Sequence, residues 1–229
     1  MSSSVLAGTA HYNNSNSQQK SAIYMATDQL LQQVIDLLQH IPDDDAFKRP
    51  STVMPGGTIG KHIRHVYDHF NLLLAGNPQL KNQHQQGQHH HHEDDDELWT
   101  VDFDARSREQ PMERDRREAA CCFRDMQNKF KDIADKVPLD TPVKLAATID
   151  ASASVPRALF HSTFDRELWY CCMHAIHHYA AIKAICIENS IPVTSEFGMA
   201  PSTTQYQQQQ HHHQPQQQQQ QRAKMTGHL

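Results

Sequence analysis

No stretch of this chain approaches the length of apolar residues needed to cross a membrane, and the apolar run Val5 to Ala7 behind Met1 is far too short for a signal peptide. Basic stripes are missing as well. The net charge is −5, and no predicted helix gathers its Lys and Arg on one side, which removes the electrostatic footprint of a nucleic-acid binder. The five cysteines, Cys121, Cys122, Cys171, Cys172 and Cys186, include no C-x-x-C pair, and all fall in predicted helices. In a reducing compartment they read as small buried hydrophobes and not as a disulfide framework. The expectation is a cytoplasmic protein with no membrane span and no nucleic-acid partner.

What the chain has in excess is histidine, glutamine and low-complexity sequence. Residues 1–20 are rich in Ser, Asn and Gln, residues 82–97 are a Gln, His and acidic run, and residues 205–221 are mostly Gln. Such tracts cannot bury enough apolar surface to order themselves. The expected layout is a disordered N-terminus over 1–17, one domain over 18–204 interrupted by the insert at 82–97, and a disordered Gln/His tail over 205–229. The run His89 to His92 before Glu93 to Glu97 reads as a solvated loop, because ligands on a floppy segment must each offset ordering entropy. The Gln/His tracts also offer a surface for a protein partner.

Between the tracts, apolar periodicity marks four helices. The first covers 18–40, with Leu30, Leu31, Val34, Leu37 and Leu38 spaced at three and four. Thr58 caps the second, which runs to about Ala75 and stops at Gly76 and Pro78. The third spans about Met112 to Lys136. The last is expected to begin at Ser162 or Thr163, with Asp165 and Glu167 near the positive end of its dipole. VKLAATI (143–149) and VPRALFHS (155–162) alternate as a hairpin before it, turning at Asp150 to Ser154. The predicted fold class is all-α, a four-helix bundle with a long crossover between the second and third helices and a short β-hairpin before the last.

On the last helix Phe164, Glu167, Cys171, His174, His178, Ile182 and Ile185 share one stripe, so His174 and His178 face inward together. Two histidines at i, i+4 can offer ring nitrogens to one metal ion; equally, each can be a hydrogen-bonded core residue. Cys171, one turn before His174, is a further soft ligand. The second helix carries His62, His65 and His69, of which a helical wheel puts His62 and His69 nearer the apolar side.

The segments TIGKHIRHVYDHF, VDFDARSREQPMERD, STFDRELWYCCMHAIHHYAAI and FGMAPST together resemble the DinB/YfiT-like superfamily of metal-dependent four-helix-bundle proteins, over roughly residues 20–206. The resemblance implies a divalent metal such as zinc, nickel or iron, held by His65, His174 and His178, with His69 as the substitute for His65. It also implies a hydrolase or a thiol transferase of glutathione type, with glutathione as cofactor and a small-molecule thiol or ester as substrate. Arg106 and Arg108 would hold a carboxylate of that cofactor or substrate, and Glu167 or Asp68 would orient a ligand or accept a proton. The rival expectation is a non-catalytic interaction or scaffold protein that keeps the metal for structure. A homodimer through a helix face is a further expectation.

Overall fold

The computed structural model describes residues 3–78, 98–105, 107, 110–152 and 155–210, with side chains from residue 17 onward. The insert at 82–97, the tail beyond 210 and both Arg106 and Arg108 lie outside the described residues. Helix α1 spans Ser3–His40, starting well before the residue 18 expected from periodicity. Asp43 then caps a short helix α2, Asp44–Lys48, by accepting from the Ala46 N–H at 2.7 Å, and α2 buries Ala46 and Phe47 where the sequence reads only as turn. Thr58 caps α3, Ile59–Ala75, accepting from the Lys61 N–H at 3.0 Å.

Strand β1, Trp99–Asp102, follows, then a 3-10 turn over Pro111–Glu113 and helix α4, Arg116–Ile133. Strands β2, Pro142–Ala147, and β3, Ala158–Thr163, lead into α5, Phe164–Glu188. The three strands form one sheet in the order β1-β2-β3. Trp99 pairs with Val143 in parallel, while Val143 pairs with Ser162 in antiparallel register. The all-α four-helix bundle is therefore corrected: four long helices share a core with a three-stranded mixed sheet. The expected hairpin is two strands of a larger unit whose third strand enters across α4. Trp-Thr-Val-Asp is too short for its alternation to stand out from a loop, and its partner is remote in sequence. In the fold Trp99 and Val101 face inward, and the Trp99 indole N–H donates to the Leu73 carbonyl at 2.7 Å.

The helices meet through α1 against α4 and α5, and α3 against α4 and α5. Leu31, Val34, Ile63, Phe70, Phe123, Leu168 and Ile182 fill the space between them. The expected side-chain cap of α5 is not made, since Thr163 bonds the Asp165 carboxylate instead of the backbone. The first N–H groups of α5 go to carbonyls of the connection between α4 and β2, Phe164 to Thr141 and Asp165 to Leu139, both at 2.9 Å. Among the described residues no helix is long and apolar enough to cross a membrane.

Gly60, in the first turn of α3, carries the contact with the 3-10 turn. A Cβ there would overlap the Glu113 backbone carbonyl and press on the Phe47 ring. Backbone cannot yield as a flexible side chain does, so Gly60→Ala is expected to destabilise the fold by roughly 1–3 kcal/mol. A urea titration with an unchanged slope would read this as lost stability alone.

Candidate metal centre

Packing α3 against α5 brings His62, His65 and His69 from one helix against His174, His177 and His178 from the other. Single helical turns separate His65 from His69 and His174 from His178, so each helix offers two rings to the same interhelical space. His65 and His174 meet nitrogen to nitrogen, Nε2 to Nε2, at 2.9 Å. His69 stacks on His174 with ring centroids 3.9 Å apart and planes at 20°. One nitrogen from each of His65, His69 and His174 lies within 4.8 Å of the others.

The sequence expectation named His65, His174 and His178. His178 is close, its ring centroid 4.6 Å from those of both His65 and His174. Its Nδ1, however, faces His62 Nδ1 at 2.9 Å. The ring nitrogens that converge within 4.8 Å are those of His65, His69 and His174. The Nδ1–H of His69 donates to the His65 carbonyl at 3.0 Å, which fixes the tautomer and makes Nε2 the ring's acceptor nitrogen. The wheel's preference for His69 over His65 thus reflects real burial, 4% exposed for His69, while both rings still reach the cluster.

Burial, with neighbouring histidines adding to it, sets the protonation of the cluster. His174 is pushed down to about 3 by desolvation and then by His69, His65 and His177. His178 is likewise pushed down to about 3, by desolvation and then by His174, His65, His62 and His177. Burial also lowers His62. These rings are neutral at physiological pH, the state a metal ligand needs. In chelator, the unfolded chain takes up protons at these positions near the usual histidine value of about 6.5, whereas the fold does so only near 3. Stability from this source falls as pH drops from about 6.5 toward 3 and levels off below. Thermal unfolding across that range should show a smaller acid loss in His178→Phe than in the parent.

Around the histidines the walls are aromatic. Phe103 stacks on His69 at 5.2 Å and 8°, and Tyr170 closes the side toward His174 with centroids 5.8 Å apart. Neither ring is singled out by the sequence, because Phe103 reaches the cluster only once β1 is in place. Cys171 is not part of the donor group: its thiol donates to the His69 carbonyl at 3.5 Å, and burial raises its pKa well above the usual thiol value. The carboxylates are engaged elsewhere. Asp68 pairs with Arg64 and accepts from Ser107 Oγ at 2.8 Å. Arg64 also meets Glu113 at 2.5 Å. Glu167 is fully buried and accepts at Oε1 from Ser162 Oγ and from Arg166, each at 2.6 Å.

No family model matches the chain, and no solved structure matches it. One curated protein is similar, FK506-binding protein 5 of Rhizopus delemar, 38% identical over 178 residues. The match covers 77% of this chain and 36% of that protein. The chain therefore spans about a third of its relative's length.

That similarity corrects the functional expectation. Most of the chain resembles part of a protein named for binding FK506, which overturns the reading as a DinB-like metal-dependent hydrolase or glutathione-type thiol transferase. The rival reading, a scaffold that retains such a bundle, gains no support, and the labels of four-helix-bundle metalloenzyme and histidine-triad enzyme are set aside with it. What stands is the arrangement of the histidines, a statement about donors and not about a reaction.

Proposed function

We propose that this chain is a metal-binding unit in which His65, His69 and His174 hold one divalent transition-metal ion. The observation that carries the reading is the convergence of three ring nitrogens within 4.8 Å, drawn from two helices. The donor set fits: one tautomer is fixed by a backbone carbonyl, and burial keeps His174 neutral. All-imidazole donors suit zinc, nickel and iron. A bound ion would supply Lewis acidity and would bridge α3 and α5, stabilising the fold by mass action. His178, paired with His62, stands ready beside the ligands.

The test is elemental analysis of the full chain in which His89 to His92 and His211 to His213 are replaced by Ser, so that the tracts contribute nothing. The expected result is about one zinc, nickel or iron per chain after exposure to each metal. Protein that stays metal-free after exposure sinks the reading. The five cysteines are all free thiols, which supports a reducing, cytoplasmic address.

A second reading follows from the relative's name, the binding of FK506 itself, a large and mostly apolar molecule. Its structural support is a cavity of about 480 Å³ between α1, α5 and the helical residues 201–210, lined by Ala22, Ile23, Ala26, Arg166, Trp169 and Pro201. Trp169 is 42% exposed whereas the other tryptophan, Trp99, is buried, so ligand entry would be read in Trp169 emission. An emission unchanged by FK506 at saturating concentration rejects this reading without touching the first.

A further inference from the structure

The outer edge of the sheet is open. β3 is the last strand in the order β1-β2-β3, and among the described residues no strand pairs with its far side. Alternate residues of an edge strand turn their N–H and C=O groups outward, and such edges are ordinarily guarded by Lys, Pro, a bulge or a covering loop. Ala158–Thr163 contains no Lys, Arg, Asp, Glu, Pro or Gly. Instead it exposes Leu159 at 58% and Phe160 at 47%, neighbouring residues on opposite faces of the strand. The nearby charge, Arg157, is engaged inward across the sheet with Asp102 and Asp104 and leaves the edge neutral.

We propose that this edge pairs with the β3 edge of a second copy of the chain, making a continuous six-stranded sheet across a two-fold axis at Phe160. In an antiparallel pair related by such an axis, opposite residues share a face. Centring on Phe160 sets it against the partner copy's identical ring, Leu159 against His161, and Ala158 against Ser162. With no Lys, Arg, Asp or Glu in the strand, the two copies bring no like charges together along the paired segment. The Phe160 pair across the axis favours the association, and pairing covers the β3 edges of both copies at once.

Sedimentation of the full chain tests this directly. The expected result is twice the 26.2 kDa chain mass across the micromolar range, falling to the single-chain mass in Phe160→Lys, which would set two like charges opposite each other. Ile187→Lys, at a site 66% exposed in the last turn of α5, is expected to remain dimeric. The register is read by oxidation in a background where the exposed Cys121 is replaced by Ser. Phe160→Cys should then cross-link, since directly opposed strand residues lie within disulfide reach, whereas Val155→Cys should not. A wild-type chain that sediments at its single-chain mass overturns the proposal and turns the edge toward a different protein. A dimer that survives Phe160→Lys, or that cross-links as readily through Val155→Cys, also overturns it.

Discussion

The double variant His65→Ala/His174→Ala is expected to bind zinc or nickel at least about 100-fold more weakly than the parent, since even outer-shell partners of metal-bound histidines are worth 10–100-fold. The two rings face each other through Nε2 at 2.9 Å and come from different helices, so removing both takes away the bridge. Single variants discriminate between the two donor sets. His69→Ala should cost about as much as His65→Ala, because one ring nitrogen of each lies within 4.8 Å of the other and of His174. His178→Ala should cost less, because its Nδ1 is turned to His62. Calorimetric metal titration, with circular dichroism to show that the helices persist, reads all four. Loss in His178→Ala equal to that in His65→Ala, with His69→Ala unaffected, would restore the donor set implied by the sequence resemblance.

Tyr179→Ala is expected to be the most costly change outside the metal centre, roughly 3–5 kcal/mol in urea unfolding. Tyr179 is fully buried, and three parts of the chain meet on it. Its hydroxyl donates to the Leu30 carbonyl of α1 at 2.8 Å, and its ring stacks on Phe197 at 4.8 Å. Gly198, at φ +72, passes so close that a Cβ would stand 2.9 Å from the Tyr179 backbone carbonyl carbon. Tyr179→Phe keeps the ring and leaves only the Leu30 carbonyl without its donor, and should cost about 0.5–1.5 kcal/mol. A double variant with Phe197→Ala should fall short of the sum of the two single changes, because the two side chains share one contact.

Much of the helical framework was legible because its signals are local. Thr58 with Lys61 caps α3 within one turn of chain, and Gly76 with Pro78 marks its end. The periodic apolar residues of α1 and α4 announce a buried face at the same scale. The pair His174 and His178 was readable for the same reason, as one helical turn on one stripe. β1 was not readable. Its four residues carry no turn signal of their own, and only the presence of β2 on the far side of α4 makes them a strand.

By itself, the sequence marked the four long helices in outline, though not α2 or the start of α1, and showed that α3 and α5 each carry histidines spaced to share a ring-lined space. It could not rank His65, His69 and His178, because helical periodicity orders residues around one axis and says nothing of the rotation of a second helix against it. That rotation is set by the packing of Ile63, Phe70 and Ile182 with the rest of the core, and by Gly60 letting the 3-10 turn come close. The tertiary structure alone turned His178 to His62, placed His69 beside His174 under Phe103, and added a third strand to the hairpin. Each of those outcomes depends on contacts between residues far apart in the chain, where local propensity carries no information.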